Sequence, residues 1–153
     1  MVEFALVLPI LMLLIVGIIE VGRAIFIYSS VVNASREAAR YGSAYGRNDA
    51  GYPRYQDCQG IKNAAKKVAF MSQIEDDDVM IDFDRYDGAD FVVFDQCEGA
   101  LDGTIHLHTS DRITVTVTGT YEPMTPLIPL DAREITVTTS RTIIGILTIH
   151  PEP

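Results

Sequence analysis

The chain is short of almost everything that builds an active site. Its 153 residues include three histidines, His106, His108 and His150, and two cysteines, Cys58 and Cys97. The cysteines form no Cys-x-x-Cys motif, and no third histidine or cysteine lies beside His106 and His108, so a zinc centre lacks ligands. There is no phosphate-cradling glycine loop, no Gly-x-Ser-x-Gly turn and no nucleophile with an evident base. An enzyme is therefore the least expected class. Basic residues are scarce as well: 12 Lys and Arg stand against 21 Asp and Glu, for a net charge of −9. The deficit is concentrated. Residues 1–74 carry eight basic and five acidic side chains, residues 75–153 four and sixteen. An acidic second half repels phosphate, which argues against nucleic acid as a partner. It suits either attraction between staggered copies or simply a solvated surface.

The next absence is local. Residues 4–19 contain no charged or polar side chain. As a helix this run spans roughly 24 Å, a little short for a bilayer. Continued through Val21, Ala24, Ile25, Phe26, Ile27 and Tyr28 it makes a full span, provided Glu20 and Arg23 are tolerated; at i,i+3 these two can pair on one face. Good helix formers follow the run, so it reads as a stalk rather than a cleaved secretory signal. Nothing firmly stops a helix between Val2 and about Tyr45, which would be roughly 66 Å long. Pro9 is expected to kink it or leave its first turns irregular. Past Tyr28 small residues recur four apart, with Ala34, Ala38 and Gly42 on one stripe and Ser35, Ala39 and Ser43 on the next. Such stripes let another backbone approach closely, in the head or in a neighbouring helix. Arg36, Glu37, Arg40 and Arg47 take the wetter side. Residues 1–46 are thus expected to form a stalk and residues 47–153 a head.

Within the head, residues 47–55 read as a loop. A second helix is predicted from an Asp57 N-cap to about Ile74, with Ile61, Ala64, Ala65, Val68 and Met71 facing inward. The acidic run from Glu75 to Asp78 breaks that pattern. Strands follow: Val79, Ile81 and Phe83 alternate with polar residues, Phe91 to Phe94 is a short apolar run, and Ile113, Val115, Val117, Ile135 and Val137 alternate with threonines. Such alternation fits an antiparallel sheet with one packed and one wet face. The fold class is α+β, a long N-terminal hydrophobic helix carrying one further helix packed on an antiparallel sheet. Three prolines between Glu122 and Pro129 mark a loop, and residues 149–153 read as an extended tail. Outside the cytoplasm Cys58 and Cys97 are expected to join in a disulfide worth about 3–4 kcal/mol, the alternative being two unrelated thiols. No cofactor is expected. The weak exception is calcium, for which Asp82, Asp84 and Asp87 are candidates, although Gly88 falls one position late for an EF-hand and a solvated loop is the better reading. Asn33-Ala34-Ser35 matches a glycosylation sequon but falls inside the predicted helix, so it reads as chance.

Glu3 stands at the mouth of the apolar run, where a carboxylate is costly unless paired. In a bundle its natural partner is a cation such as a neighbouring copy's N-terminal amine; otherwise it stays in headgroup water. The Glu-Phe-Ala start, Leu-Pro within the apolar run, the element at Glu20, Gly22 and Arg23, and the Asn-Ala-x-Arg-Glu-Ala-Ala-Arg stretch at residues 33–40 resemble TadE/TadG-like pilins, relatives of type IV pilins. The segment from Ile113 to Leu130 also looks like that family's closing strands. The resemblance implies a structural subunit, with partners that are itself as a helical homopolymer, the membrane before assembly, a prepilin peptidase that removes a leader, and a pilus assembly machine driven by an ATPase. It implies an inner-membrane precursor with its head outside, then an extracellular adhesive filament. Arginines C-terminal to the run would by themselves favour a cytoplasmic head; a basic leader, cleaved, would restore the expected orientation. The alternative role is a minor pseudopilin that primes or caps assembly. Expected assembly and core residues are Glu3, Phe4, Pro9, Gly17, Glu20, Gly22, Arg23, Ala34, Ala38 and Gly42, Glu3 being the counterpart of a glutamate usually fifth in such chains. Deleting residues 1–28 is expected to leave a soluble monomeric head.

Overall fold

A computed structural model describes residues 2–70, 72–97, 107–108, 110–124 and 131–143, with backbone only for 2–6. Helix α1 (Val2–Ser43) is followed by α2 (Cys58–Val68) and by strands β1 (Val79–Tyr86), β2 (Phe91–Gln96), β3 (Arg112–Tyr121) and β4 (Arg133–Thr142). The strands form one antiparallel sheet in the order β2-β1-β3-β4. The arrangement is α+β, as the sequence predicts. Helix α1 continues through Pro9, which costs the ladder one hydrogen bond without ending the helix. The helix ends at Ser43, two residues early, where Gly46 turns the chain with a φ of +125°.

The sheet's inner face is built by the predicted alternation. Ile81, Phe83, Ile113, Val115 and Val117 are buried there, and α1 and α2 cover them. From α1 come Ile27, Val31, Ala34, Ser35, Ala38 and Ala39, from α2 Cys58, Ile61 and Ala65. The small residues set how closely α1 sits on the sheet. A Cβ at Gly42 would collide with Ile113 and one at Gly119 with Val31, so each glycine holds a helix–sheet contact that any side chain would push apart. On the wet face, threonine and serine hydroxyls pair across β3 and β4: Thr114 with Ser140 at 2.8 Å, Thr116 with Thr138 at 2.9 Å, Thr118 with Thr136 at 3.2 Å. Such cross-strand pairs each add a few tenths of a kcal/mol and fix the register.

Helix α2 is shorter than its pattern predicts. Asp57 caps it, accepting the Gly60 N–H at 2.9 Å, but it stops at Val68 rather than near Ile74. The reason lies downstream. Asp76 reaches back to Lys66 at 2.5 Å and Gln59 at 3.1 Å, and Ile74 enters the core, so the chain must reverse between them, with Gln73 at positive φ. Of the predicted inner stripe, Ile61 and Ala65 are buried and Ala64 partly so, whereas Val68 faces solvent; Met71 lies outside the described residues. Cys58, opening α2, is disulfide-bonded to Cys97, just past β2, with Cα atoms 5.7 Å apart. The bond ties the second helix to the far edge of the sheet.

One ion pair closes the sheet's end. Arg85 grips Asp111 with two hydrogen bonds, 2.9 and 2.7 Å, while the His108 N–H donates to the same carboxylate at 2.6 Å. The Arg85 guanidinium holds the Asp111 carboxyl below the usual carboxylate range, against the opposing effect of its burial. A depressed folded value means that this contribution is complete above the ordinary Asp value of about 4 and is lost as pH falls through the lowered one. Asp111→Asn should therefore be about 1.5–3 kcal/mol less stable at pH 7 and lose less on acidification below pH ~4. Urea unfolding between pH 7 and pH 2 checks both; parallel pH profiles would contradict the assignment.

Candidate functional site

The residues that the sequence singles out gather on α1, and the helix has two characters. From Val7 to Ile19 nearly every side chain is exposed on all sides, including Ile10, Met12, Ile18 and Ile19. From Glu20 onward one face turns inward: Glu20, Ile27, Ser30 and Val31 are buried, while Val21, Ile25, Phe26 and Tyr28 remain outside. One face of the helix stays apolar and exposed from residue 7 to 26, roughly 30 Å, the thickness of a bilayer's hydrocarbon core, and over residues 7–19 nearly the whole circumference does, forming a rod. Only 11% of the most apolar window of this helix is buried within the chain, so the rod is no ordinary core helix. An apolar surface of this extent marks a site of contact with lipid or protein.

Where rod meets head stands a polar clasp. Glu20, 6% exposed, accepts the Tyr121 hydroxyl at 2.7 Å and the Met124 N–H at 2.9 Å. Three residues on, Arg23 donates to the Glu122 carbonyl at 2.6 Å and lies 5.6 Å from the Tyr121 ring centre. The sequence suggests that Glu20 and Arg23 answer each other along the helix; the contacts described for both cross to the end of β3. Spacing on a helix cannot reveal a partner about a hundred residues away, so this clasp was not legible, although two charges in an apolar segment are its signal. Glu20 holds the Tyr121 phenol above its usual range, with burial acting the same way. The clasp fixes the direction in which the rod leaves the head.

The other candidates fall into three places. Ala34 and Ala38 are fully buried and Gly42 is buried beside Ile61 and Ile113, all within this chain's own core. The closeness they permit is thus between α1 and its own head. Pro9, Gly17 and Gly22 lie on the rod, and added side chains at Gly17 and Gly22 would meet nothing. Glu3 and Phe4 belong to α1, but their side chains lie outside the described residues, as do His106, His150, the proline loop beyond Met124 and the tail. The three aspartates do not converge. Asp82 accepts from Gln96 at 2.8 Å, Asp84 is taken up by Arg112 and Thr114, and Asp87 caps its own turn through the Ala89 and Asp90 N–H groups. Among the described residues no three His, Cys, Asp or Glu side chains are grouped to hold a metal.

The rod and the helix side of the clasp, Glu20 and Arg23, fall within a segment similar to a known family. Residues 1–40 match the family model described as TadE-like protein. Over those residues the chain is similar to TadE-like proteins. No curated protein and no solved structure matches the chain. The match ends at Arg40, so it takes in the rod and most of the part of α1 that enters the core, and the head stands on its own geometry.

The clasp makes a quantitative claim. Glu20→Ala would leave a buried hydroxyl and an amide without their acceptor, costing about 1–3 kcal/mol, and Glu20→Gln should cost less. Thermal unfolding of the full chain in detergent, with hydrogen exchange at Met124, reads it. An alanine variant with unchanged stability and exchange would show that the clasp is not structural.

Proposed function

We propose that this chain is a subunit of a Tad-type pilus that polymerises through its N-terminal helix into an extracellular filament serving surface adhesion. Residues 1–46 provide the stalk and residues 47–153 the head. Before assembly the rod sits in the cytoplasmic membrane with the head outside; afterwards it lies in the filament core, packed against copies of itself. The observation that carries this reading is the nearly all-round apolar rod of residues 7–19, continuous with a helix that enters the core of a folded head. A surface apolar on every side has no stable home in water. Lipid before assembly and other rods after it are the two environments that cover it. The head contributes a disulfide, which suits an oxidising exterior. A prepilin peptidase and an assembly ATPase would be the partners of such a subunit. The role is architectural, and no catalytic step is assigned to any residue.

The test follows from where the core begins. Removing residues 1–28 would also delete Ile27 and both clasp charges, damaging the head. A cut before Glu20 keeps Glu20, Arg23 and Ile27. The head from residue 20 onward should be a soluble monomer by light scattering, and cells making it should shed no filaments containing it on shearing. Polymers formed by this truncated head would remove the rod from the mechanism. In the same sheared fractions the full chain should be abundant; a trace amount would instead assign it the minor, priming or capping role.

A further inference from the structure

The sheet ends in two outer strands of different character. Among the described residues no strand pairs with the far side of β2 or of β4. An outer strand leaves alternate backbone N–H and C=O groups pointing away from its sheet, a template for another chain. Strand β2 adds apolar side chains to that edge: Phe91, Val92, Val93 and Phe94 are 38–50% exposed. Val92, opposite Arg85, continues the inner face, while Phe91 and Val93, opposite Tyr86 and Asp84, continue the wet one. Arginines from the neighbouring strands take one side of each ring, Arg112 lying 3.8 Å from the Phe91 centre and Arg85 4.3 Å from that of Phe94. A strand that is apolar on both faces reads as one meant to be covered.

The opposite edge complements it. From Asp87 to Gln96 the chain holds three aspartates, Asp87, Asp90 and Asp95, and no basic residue. Strand β4 carries Arg133 and Arg141, both exposed, against one acid, Glu134. Its Ile135 and Val137 are half-buried on the inner face, level with where Val92 of a neighbour would arrive. Strand direction then selects the partner. The strands alternate across the sheet, so β2 and β4, three steps apart, run in opposite directions. A second copy in the same orientation brings its β4 antiparallel to β2, and the sheet continues with its pattern unchanged. Copies of one orientation are what a polar filament contains, and their contacts join two different surfaces and repeat without closing. A β2-to-β2 contact would require one copy to be reversed or turned over.

We propose that in the filament the β2 edge of each head pairs antiparallel with the β4 edge of the next copy, making a sheet that runs from head to head. The inference rests on the reading of the chain as a filament subunit. The register shift between Phe83 and Asp84 puts an extra residue into β2, a bend that limits regular pairing to a few residues. A contact that short acts only where the rods already hold copies side by side. The rods set how copies stack, and the edges set how the heads turn relative to one another.

Cysteine pairs in filaments sheared from cells test this on non-reducing gels after mild oxidation. Val92→Cys is combined in turn with Thr136→Cys, Val137→Cys, Thr138→Cys, Thr139→Cys and Ser140→Cys. Within one chain β2 and β4 stand about 14 Å apart, beyond the reach of a disulfide, so every bond between these positions joins two copies. Ladders of linked chains are expected at alternate positions and not at the intervening ones, because successive side chains point to opposite faces. Adding Val93→Lys to the pair that links best should abolish the ladder while leaving the unfolding midpoint of the full chain in detergent unchanged. Equal yields at all five positions would show proximity without strand pairing and overturn the proposal. Dimers from Val92→Cys alone would assign the edge to a β2-to-β2 contact and overturn it as well. Filaments that contain the chain yet give no ladder overturn the head contact alone. If no filament contains the chain, the subunit reading and the head contact fall together.

Discussion

One helix has to satisfy two surroundings, and the rest of the structure follows from that constraint. Over residues 7–19 α1 has no core to join and exposes apolar side chains on every side. Over its last turns it is the central element of a packed head, with Val31, Ala34 and Ala38 fully buried. A single continuous helix can do both only if the change happens without a break in its hydrogen-bond ladder. The change is made by side chains. Glu20 and Arg23 hand the helix over from one surrounding to the other by binding the end of β3. Burying a carboxylate there is unfavourable by itself, and its hydrogen bonds offset the cost.

The head can be read as a device for holding that helix. Helix and sheet approach most closely at two points, where Gly42 stands against Ile113 and Gly119 against Val31. The disulfide and the Arg85–Asp111 pair secure the sheet's far side, away from the clasp. Together they tie α2 and the start of β3 to the β1–β2 side of the sheet.

Much of this was legible beforehand because it rests on local periodicity. The strands were signalled by the alternation of Ile113, Val115 and Val117 with threonines, and α1 by an apolar run too long for a globule. The capping aspartate of α2 was equally readable. What was not legible depends on contacts distant in sequence. Helix α2 stops early because Asp76 and Ile74 fold back on it, and no pattern within the helix announces that. Val68 keeps the inner spacing but faces water because the chain has already turned. The small-residue stripe was readable as a close contact with the head or with a neighbouring helix, and the structure shows the first, against the chain's own sheet. Glu20 and Arg23, three residues apart on one helix, carry an obvious local explanation, and that spacing gives no sign of the hydrogen bonds they also make to phenol and backbone at and just past the end of β3. The grouping of Asp82, Asp84 and Asp87 in sequence dissolves because each is committed to a neighbour of its own.

The central claim is that the exposed part of α1 is covered by copies of itself once it has left the lipid. Electron cryomicroscopy of sheared filaments, with the helical symmetry measured and the subunit traced, tests this most directly. The account predicts residues 7–19 packed side by side and dry along the filament axis, with the sheet-bearing heads forming the outer wall. Rods standing in solvent, or heads joined through their sheets with the rods left out of the contact, would contradict it.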